Sequence, residues 1–478
     1  MRDTSLHFHT EYSNERMLDC IIQAKKDKDF QKIVDTALEK DIHTIAITDH
    51  STISSHVKIM QFQKKLNEQG IDFRFLLGDE IYLVDNVMDT KENYVGGVTK
   101  FPHFILIAKD EIGYRQLRLI DSACWKNSWM TGKLRRTLIS KTEVEQIIGN
   151  DKGHLLASTA CLGGELGITS LAFLKSQKQE DKLPIHNFLN WCVKTFGREN
   201  FVIELQPSKP EIQGTDQVEF NKLMLTLSEH YKIPCIMTTD CHYLLQEDAI
   251  VHKSFLSARD VDRGETDTFY ASCYLMGAEE KWELVKDYMT REQFDNIIKN
   301  GVRFVQGIED IDMQHKIIIP ERDLSEIDFE VQNVFEEWYD KATNIKLFAE
   351  SPYGQDRYLL YMIEEGFKDK EQEFNETNIM RIDWELGELW KVSESLKDRM
   401  SAYYNLVDYI VDICWEIGFI GVSRGSVTGY YTMYLIDMHQ LNPIQWNLPA
   451  YRHLNSSRVS FPRMLGIGCE PMLIGCVD

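Results

Sequence analysis

The chain has 478 residues, of which 43% are hydrophobic, and it carries a net charge of −22. This length predicts two to four domains with well-filled cores. The negative charge argues against a protein that coats nucleic acid with a basic face, but not against an enzyme whose metal ions meet the phosphates locally. Charge alone therefore decides little about function.

The ten cysteines are scattered, without a Cys-x-x-Cys pair or a compact disulfide framework. Such usage indicates a reducing compartment. The first residues lack the hydrophobic core of a signal peptide, and no apolar run approaches the roughly 18 residues that a membrane span needs. We therefore expect a soluble cytoplasmic protein that does not act at a membrane.

Two histidines, His7 and His9, lie close to the N-terminus in a stretch of strand type. Successive side chains of a strand alternate faces, so both imidazoles point the same way and Phe8 points opposite. A histidine pair is by itself weak support for a metal site, because such pairs are more often solvated or hydrogen-bonded. The ends of the later strands decide between these two interpretations.

Apolar runs of strand type alternate with amphipathic helical stretches over the first 270 residues. The predicted strands lie at 44–48, 73–77, 104–108, 154–158, 201–205 and 233–239. This order predicts parallel strands joined by crossover helices, and a barrel is the expected closure. In such barrels the chemistry collects at the carboxyl ends of the strands.

Side chains of metal-binding type recur at or just past the predicted strand ends, namely His7, His9, His50, Glu80, Cys161, Asp240 and His242. Asp19 lies in the loop after the first strand, whereas His103 precedes its apolar run and would not be chosen from the pattern alone. Taken singly, Asp49-His50 is also typical of a helix cap, and Cys161 of a small buried side chain. Recurrence at one rim is hard to obtain from packing, so the set favours a metal centre.

Six motifs together resemble the PHP (polymerase and histidinol phosphatase) domain that heads the α subunit of bacterial DNA polymerase III, a C-family polymerase. They are His7-x-His9, Thr48-Asp49-His50, Gly78-x-Glu80-x-Tyr82, the run from His103 to Lys109, Ala160-Cys161-Leu162-x-Gly164-Glu165 and Asp240-x-His242-Tyr243-Leu244. The resemblance implies an α/β fold, a distorted (β/α)7 barrel of PHP type over residues 1–270, with metal-dependent phosphoesterase activity.

The same resemblance implies a set of metal ligands, which are His7, His9, Asp19, His50, Glu80, His103, Cys161, Asp240 and His242. Mixed imidazole, carboxylate and thiolate ligands favour Zn²⁺, Mn²⁺ or Fe²⁺ over Mg²⁺, and so large a set implies a cluster of two to three ions. Such a cluster activates water and clamps a phosphodiester. The implied reaction is 3′ to 5′ removal of nucleotides from the 3′ end of single-stranded DNA, with Asp240, His242 and His50 as catalytic residues.

Helical patterns replace the alternation beyond residue 270. We expect a mostly helical connector at 271–345 and, by resemblance to the same polymerase, the N-terminal part of a palm at 346–462. A glycine-rich turn at 421–429 resembles the Gly-Arg-Gly-Ser stretch of that palm. The resemblance implies that Arg424, Gly425 and Ser426 bind a nucleotide through backbone N–H groups, a guanidinium and a hydroxyl.

The resemblance stops after Pro462. At this point the family has an Asp-x-Asp motif whose carboxylates hold the metals of nucleotide addition, whereas this chain reads Arg463-Met464-Leu465 within a non-homologous tail at 463–478. Nucleotidyl transfer is therefore not expected of this chain alone. We expect an interrupted or split polymerase whose remainder is a partner, and the open alternatives are a non-enzymatic PHP scaffold and a free-standing PHP phosphatase.

Overall fold

The computed structural model of the chain describes residues 2–13, 20–132, 134–213, 215–257, 270–312 and 318–458. The chain divides into two compact units, residues 1–314 and residues 315–478. Residues 271–312, which the sequence analysis places in a connector, belong to the first unit. The four-part division made from the sequence stays a prediction.

A curled sheet forms the centre of the first unit. The strands of the described residues are β1 Asp3–Phe8, β2 Ile42–Ile47, β3 Arg74–Val84, β4 His103–Ala108, β5 Trp129–Thr131, β6 Leu134–Arg136, β7 Leu138–Ser140, β8 Leu155–Ser158, β9 Phe201–Leu205 and β10 Cys235–Met237. Their order in the sheet is β1-β2-β3-β4-β8-β9-β10. A bridge between Phe8 and Cys241 brings the two edges of this sheet together. The α/β barrel-type fold expected from the sequence is confirmed.

The strand β4 runs against its neighbours in the sheet. The strands β1 to β3 pair in parallel, and so do β8 to β10, whereas β4 is antiparallel to both β3 and β8. The prediction of uniformly parallel strands is therefore wrong at this strand. Because of the reversal, the amino end of β4, where His103 lies, reaches the rim formed by the carboxyl ends of the other strands.

Helices cover the outer face of the sheet, because alternate strand residues are apolar on that side as well. The helices of the first unit are α1 Asp27–Glu39, α2 His56–Glu68, α3 Val87–Glu92, α4 Glu111–Lys126, α5 Lys141–Ile148, α6 Glu165–Ser176, α7 Lys182–Phe196, α8 Pro210–Gln213, α9 Asp216–Tyr231, α10 Ala249–Ser257, α11 Ala278–Val285 and α12 Arg291–Phe304. Phe8 and Leu106 belong to the core between sheet and helices. Ala46 and Val202 belong to a separate core together with Val305, which follows α12.

The described part of the second unit is helical. Its helices are α13 Thr343–Ala349, α14 Gly354–Asp369, α15 Glu376–Leu396, α16 Met400–Ile417 and α17 Tyr431–Leu435. The buried carboxylate of Glu385 accepts hydrogen bonds from the backbone N–H groups of Tyr431 and Thr432, both at 2.8 Å, and so fixes the start of α17 on α15. No helix in the described ranges is both long enough and apolar enough to cross a membrane.

Candidate metal centre

The inward-facing positions of the strands change from apolar to polar toward one rim of the barrel. Val202 of β9 and Ile236 of β10 lie in the inner apolar core. Two residues further along the same strands, Glu204 and Thr238 are buried polar side chains, and Asp240 follows after another two. Since side chains repeat on one face every second residue, the sequence itself produces a polar layer above an apolar one.

Two histidines and two carboxylates meet above this layer. The Nε2 atom of His7 lies 3.1 Å from Oδ1 of Asp240 and 3.4 Å from Oε2 of Glu80. The Nε2 atom of His9 lies 3.2 Å from each of the same two oxygens. His50 approaches from β2, with its Nδ1 atom 2.9 Å from Oε2 of Glu80. These predicted ligands are thus within reach of one another. Glu80 was expected at or just past a strand end, but it lies inside β3, which continues to Val84.

The two carboxylates present oxygens that no hydrogen bond satisfies. Among the described residues, Oε2 of Glu80 and Oδ1 of Asp240 are buried and lack a partner of hydrogen-bond geometry. Buried polar atoms are normally paired, and leaving one unpaired costs stability. Donor atoms bound at about 2.0–2.2 Å to a tetrahedral ion lie roughly 3.3–3.6 Å apart, which is close to the distances seen here. The site therefore fits metal ions held between these side chains.

Four groups of three side chains have donor atoms within 4.8 Å of one another in the described residues. They are His9-His50-His242, His7-His9-Asp240, His50-Glu80-His103 and Asp240-His242-Cys273. The groups share members and therefore form one continuous cluster. A cluster of this kind can hold more than one ion, as expected for a multinuclear centre.

Neighbouring charges shift the pKa values of the site in the direction opposite to burial. Burial would lower the pKa of His9, but the close negative charges of Asp240 and Glu80 raise it to about 10. For His7, burial is likewise outweighed by the carboxylates of Asp240, Glu204 and Glu80, which raise its pKa well above the usual range. Burial would raise the pKa of Glu80, but charge on the surrounding histidines holds it well below its ordinary value. An ion that binds to His7 or His9 would therefore have to displace a proton.

His103 and Cys161 complete one side of the cluster. The Nδ1 atom of His103 lies 2.8 Å from Oε1 of Glu80, and the Cys161 thiol lies 3.7 Å from the same nitrogen. Cys161 is not a member of the four donor groups of the described residues. Burial, with the nearby carboxylates of Asp240 and Glu80, raises the pKa of its thiol well above the ordinary value. A metal ligand at this position would have to lose that proton.

Asp19, the remaining predicted ligand, lies outside the described residues. His242 belongs to two of the donor groups, and its Nδ1 atom lies 2.8 Å from the carbonyl oxygen of Asp240. Asp240 itself has a φ of +47°, a left-handed conformation that Asp tolerates better than most residues. The ligand and catalytic assignments stay predictions, but the structure brings the described members of the set to one rim.

Three residues of this site, Glu204, Ser13 and Cys273, were not predicted from the sequence. Glu204 is fully buried and holds His7 through Nδ1 at 2.7 Å. Ser13 links His9 to Asp49, with its hydroxyl 2.7 Å from Nδ1 of His9 and 3.1 Å from Oδ1 of Asp49. A carboxylate inside an apolar strand run was a usable signal for Glu204. Cys273, which joins the donor group of Asp240 and His242, follows no motif that would have marked it.

The predicted nucleotide-binding turn of the second unit consists of Arg424, Gly425 and Ser426. Gly425 has a φ of +71°, in the left-handed region that favours glycine. Ser426 begins a short 3-10 helix, and its hydroxyl lies 3.2 Å from Nδ1 of His453. Arg424 is exposed. The assignment of these three residues to a nucleotide stays a prediction, and Arg463-Met464-Leu465 lies outside the described residues.

Two family models match the chain. The PHP domain matches residues 5–208, and the bacterial DNA polymerase III alpha NTPase domain matches residues 357–464. The first match covers five of the six motifs of the PHP resemblance and ends before Asp240-x-His242, and the second match covers the glycine-rich turn at 421–429.

Named polymerases match along nearly the whole chain. The probable DNA polymerase YorL of Bacillus subtilis and the DNA-directed DNA polymerase of Bacillus phage SPbeta are each 39% identical over 95% of this chain and 36% of their own length. The DNA polymerase III subunit alpha of Chlamydia trachomatis is 26% identical over 96% of this chain and 36% of its own. The chain thus spans about a third of the length of these relatives. The chain contains a PHP domain and a region that matches the bacterial DNA polymerase III alpha NTPase domain, and it is similar to these polymerases over nearly its whole length.

Proposed function

We propose that the PHP barrel of this chain hydrolyses phosphodiesters and removes nucleotides from the 3′ end of single-stranded DNA. The observation that carries the proposal is the pair of buried, unsatisfied carboxylate oxygens of Glu80 and Asp240, which face the histidine nitrogens of His7 and His9. Packing alone gives no reason to bury so many ionisable groups together. A bound metal cluster accounts for them.

The residues of the rim would hold Zn²⁺, Mn²⁺ or Fe²⁺ ions, two or three in number, because mixed imidazole and carboxylate donors suit these metals better than Mg²⁺. When bound, the ions would supply Lewis-acid chemistry at a phosphate. His7, His9 and Glu80 are buried, so they can fix the donor geometry and exclude bulk water. Asp240, His242 and His50 are the residues to which we assign the catalytic steps.

For the second unit we propose a supporting role in nucleotide or DNA binding through Arg424, Gly425 and Ser426. We do not propose nucleotidyl transfer by this chain alone, because Arg463-Met464-Leu465 stands where the family has its Asp-x-Asp motif. The proposed partners are the 3′ end of DNA and the remainder of a split polymerase in the cytoplasm. The polymerase names of the relatives support DNA as the substrate.

The experiment is digestion of a 5′-labelled single-stranded oligonucleotide by the purified chain with Mn²⁺ or Zn²⁺. An Asp240→Asn, His242→Ala double variant serves as the comparison, and a second oligonucleotide carries a blocked 3′ end. We expect a ladder of shortened products from wild type alone, and only from the unblocked substrate. Equal products from both proteins would contradict the assignment, and metal binding without products would favour a scaffold.

A further inference from the structure

An open cleft of about 620 Å³ lies beside the metal centre. Arg136, Lys100 and Lys175 line it, and its lining contains no Asp or Glu among the described residues. The chain as a whole has 75 acidic and 53 basic residues, so a wall with three cations and no acid is a local reversal of its charge. Lys175 also lies 3.6 Å from Asp216, which compensates part of its charge.

The cleft and the metal centre share residues. His103 lines the cleft and also belongs to the donor group of His50 and Glu80. Tyr82, another lining residue, stacks on His50 with ring centroids 5.8 Å apart and lies edge-on to His103 at 5.2 Å. A ligand that enters the cleft therefore reaches the rim donors directly.

Aromatic rings support the guanidinium of Arg136. Its central carbon lies 4.6 Å from the ring centroid of Phe101 and 5.8 Å from that of Tyr82. Stacking of this kind restrains a long side chain and holds the guanidinium at the wall of the cleft. Arginine offers a fork of donors that matches a phosphate in two-point contact. The cleft thus has a positioned phosphate-binding group next to a candidate hydrolytic centre.

We propose that this cleft binds the phosphate of the nucleotide adjacent to the scissile phosphodiester. The proposal rests on the proposed function and deepens it, because it names the part of the substrate that the cleft recognises. A small phosphate ester has no second phosphate to place there, whereas every internal linkage of a polynucleotide has one. Arg136 then selects a polynucleotide over a simple phosphodiester, and Lys100 adds charge at the entrance.

The test compares Arg136→Gln with Arg118→Gln, which removes the same charge from the exposed face of α4 outside the cleft. Both variants and wild type are assayed with Mn²⁺ on a single-stranded oligonucleotide and on bis(p-nitrophenyl) phosphate. We expect kcat/KM of Arg136→Gln to fall about tenfold more for DNA than for the small diester, through KM. Its salt dependence on DNA should weaken by the equivalent of about one phosphate contact.

Arg136→Lys should recover part of the lost preference, because it keeps the charge without the fork, and Lys100→Gln provides an independent variant if Arg136→Gln does not fold. Equal losses on both substrates, or a loss with Arg118→Gln as large as with Arg136→Gln, would overturn the proposal. If wild type hydrolyses neither substrate, the proposed function fails and the cleft is tested by binding alone. Fluorescence anisotropy of a labelled trinucleotide should then show about tenfold weaker binding by Arg136→Gln than by wild type. Unchanged binding would overturn the proposal that the cleft binds phosphate.

Discussion

The carboxylate of Glu204 lies 2.7 Å from the Nδ1 atom of His7, and both side chains are buried. The hydroxyls of Ser158 and Thr238 donate to the same carboxylate at 2.8 Å and 2.7 Å. Glu204 is thus held by Ser158 of β8 and by Thr238, which directly follows β10. With Nδ1–H engaged in this way, Nε2 is the nitrogen of His7 that faces Asp240 and Glu80 and that a metal ion could bind.

Replacement of this carboxylate should weaken metal binding. Glu204→Gln keeps the shape but removes the charge that orients His7 and raises its basicity, so we expect the metal affinity to fall by about 10- to 100-fold. Competition with a chelator of known affinity measures the Zn²⁺ dissociation constant. Glu364→Gln, at a buried carboxylate of the second unit, is the matched control. An unchanged dissociation constant for Glu204→Gln would show that His7 does not depend on Glu204.

The hydrogen bonds of Ser13 to His9 and Asp49 should contribute less to metal affinity than Glu204 does. Ser13→Ala removes a neutral hydrogen bond to His9 and the link to Asp49, and a bond of this type contributes about 1 kcal/mol. We therefore expect metal affinity to drop by about fivefold, measured by the same chelator competition. Ser122→Ala, in α4, should have no effect. A loss with Ser13→Ala as large as that with Glu204→Gln would contradict this ranking of the two contacts.

Metal binding should depend on pH in a defined direction. The pKa of His9 is raised from 6.5 to about 10, so at pH 7 the metal-free imidazole holds a proton that an ion must displace. Apparent affinity should therefore rise between pH 6 and pH 9, by up to about tenfold per pH unit for each displaced proton. Calorimetry in buffers of different ionisation enthalpy counts the released protons. Affinity that is flat over this range, with no proton release, would contradict the raised pKa.

The second unit contains a close approach that can be tested by stability. A Cβ atom on Gly366 of α14 would lie 1.9 Å from the carbonyl oxygen of Leu435 in α17. Gly366→Ala should therefore destabilise this unit by about 3 kcal/mol, measured by calorimetric unfolding, and should leave metal affinity unchanged. Gly354→Ala is the control, because no atom lies within 4 Å of its added Cβ. Equal stability of the two variants would mean that α14 and α17 are not packed this closely.

Most of the candidate ligands at the rim could be predicted from the sequence, because closure of a barrel places the ends of its strands close together. His50, Glu80 and Asp240 follow apolar runs. In the structure His50 and Glu80 share a donor group, and both Glu80 and Asp240 approach Nε2 of His9. His103 could not be predicted from the pattern, because its strand is antiparallel and its amino end forms part of the rim. Strand direction depends on long-range pairing, which an apolar run does not encode.

The supporting residues were harder to foresee for a different reason. The contact of Glu204 with His7 joins residues 197 positions apart, and the hydroxyl of Ser13 links Asp49 to His9. Such contacts depend on how the barrel closes, and on which inward-facing position each strand presents at the same height. A local pattern predicts which face a side chain occupies, but it does not predict its partner across the barrel.

The central claim is that the rim of the barrel holds metal ions, and anomalous X-ray scattering from crystals soaked in Mn²⁺ or Zn²⁺ tests it most directly. We predict anomalous peaks among His7, His9, Glu80 and Asp240, within about 2.0–2.2 Å of imidazole nitrogens and carboxylate oxygens. A second peak near His50 and His103 is expected for a multinuclear centre. A rim without peaks at saturating metal, in crystals that show ions elsewhere on the protein, would contradict the account.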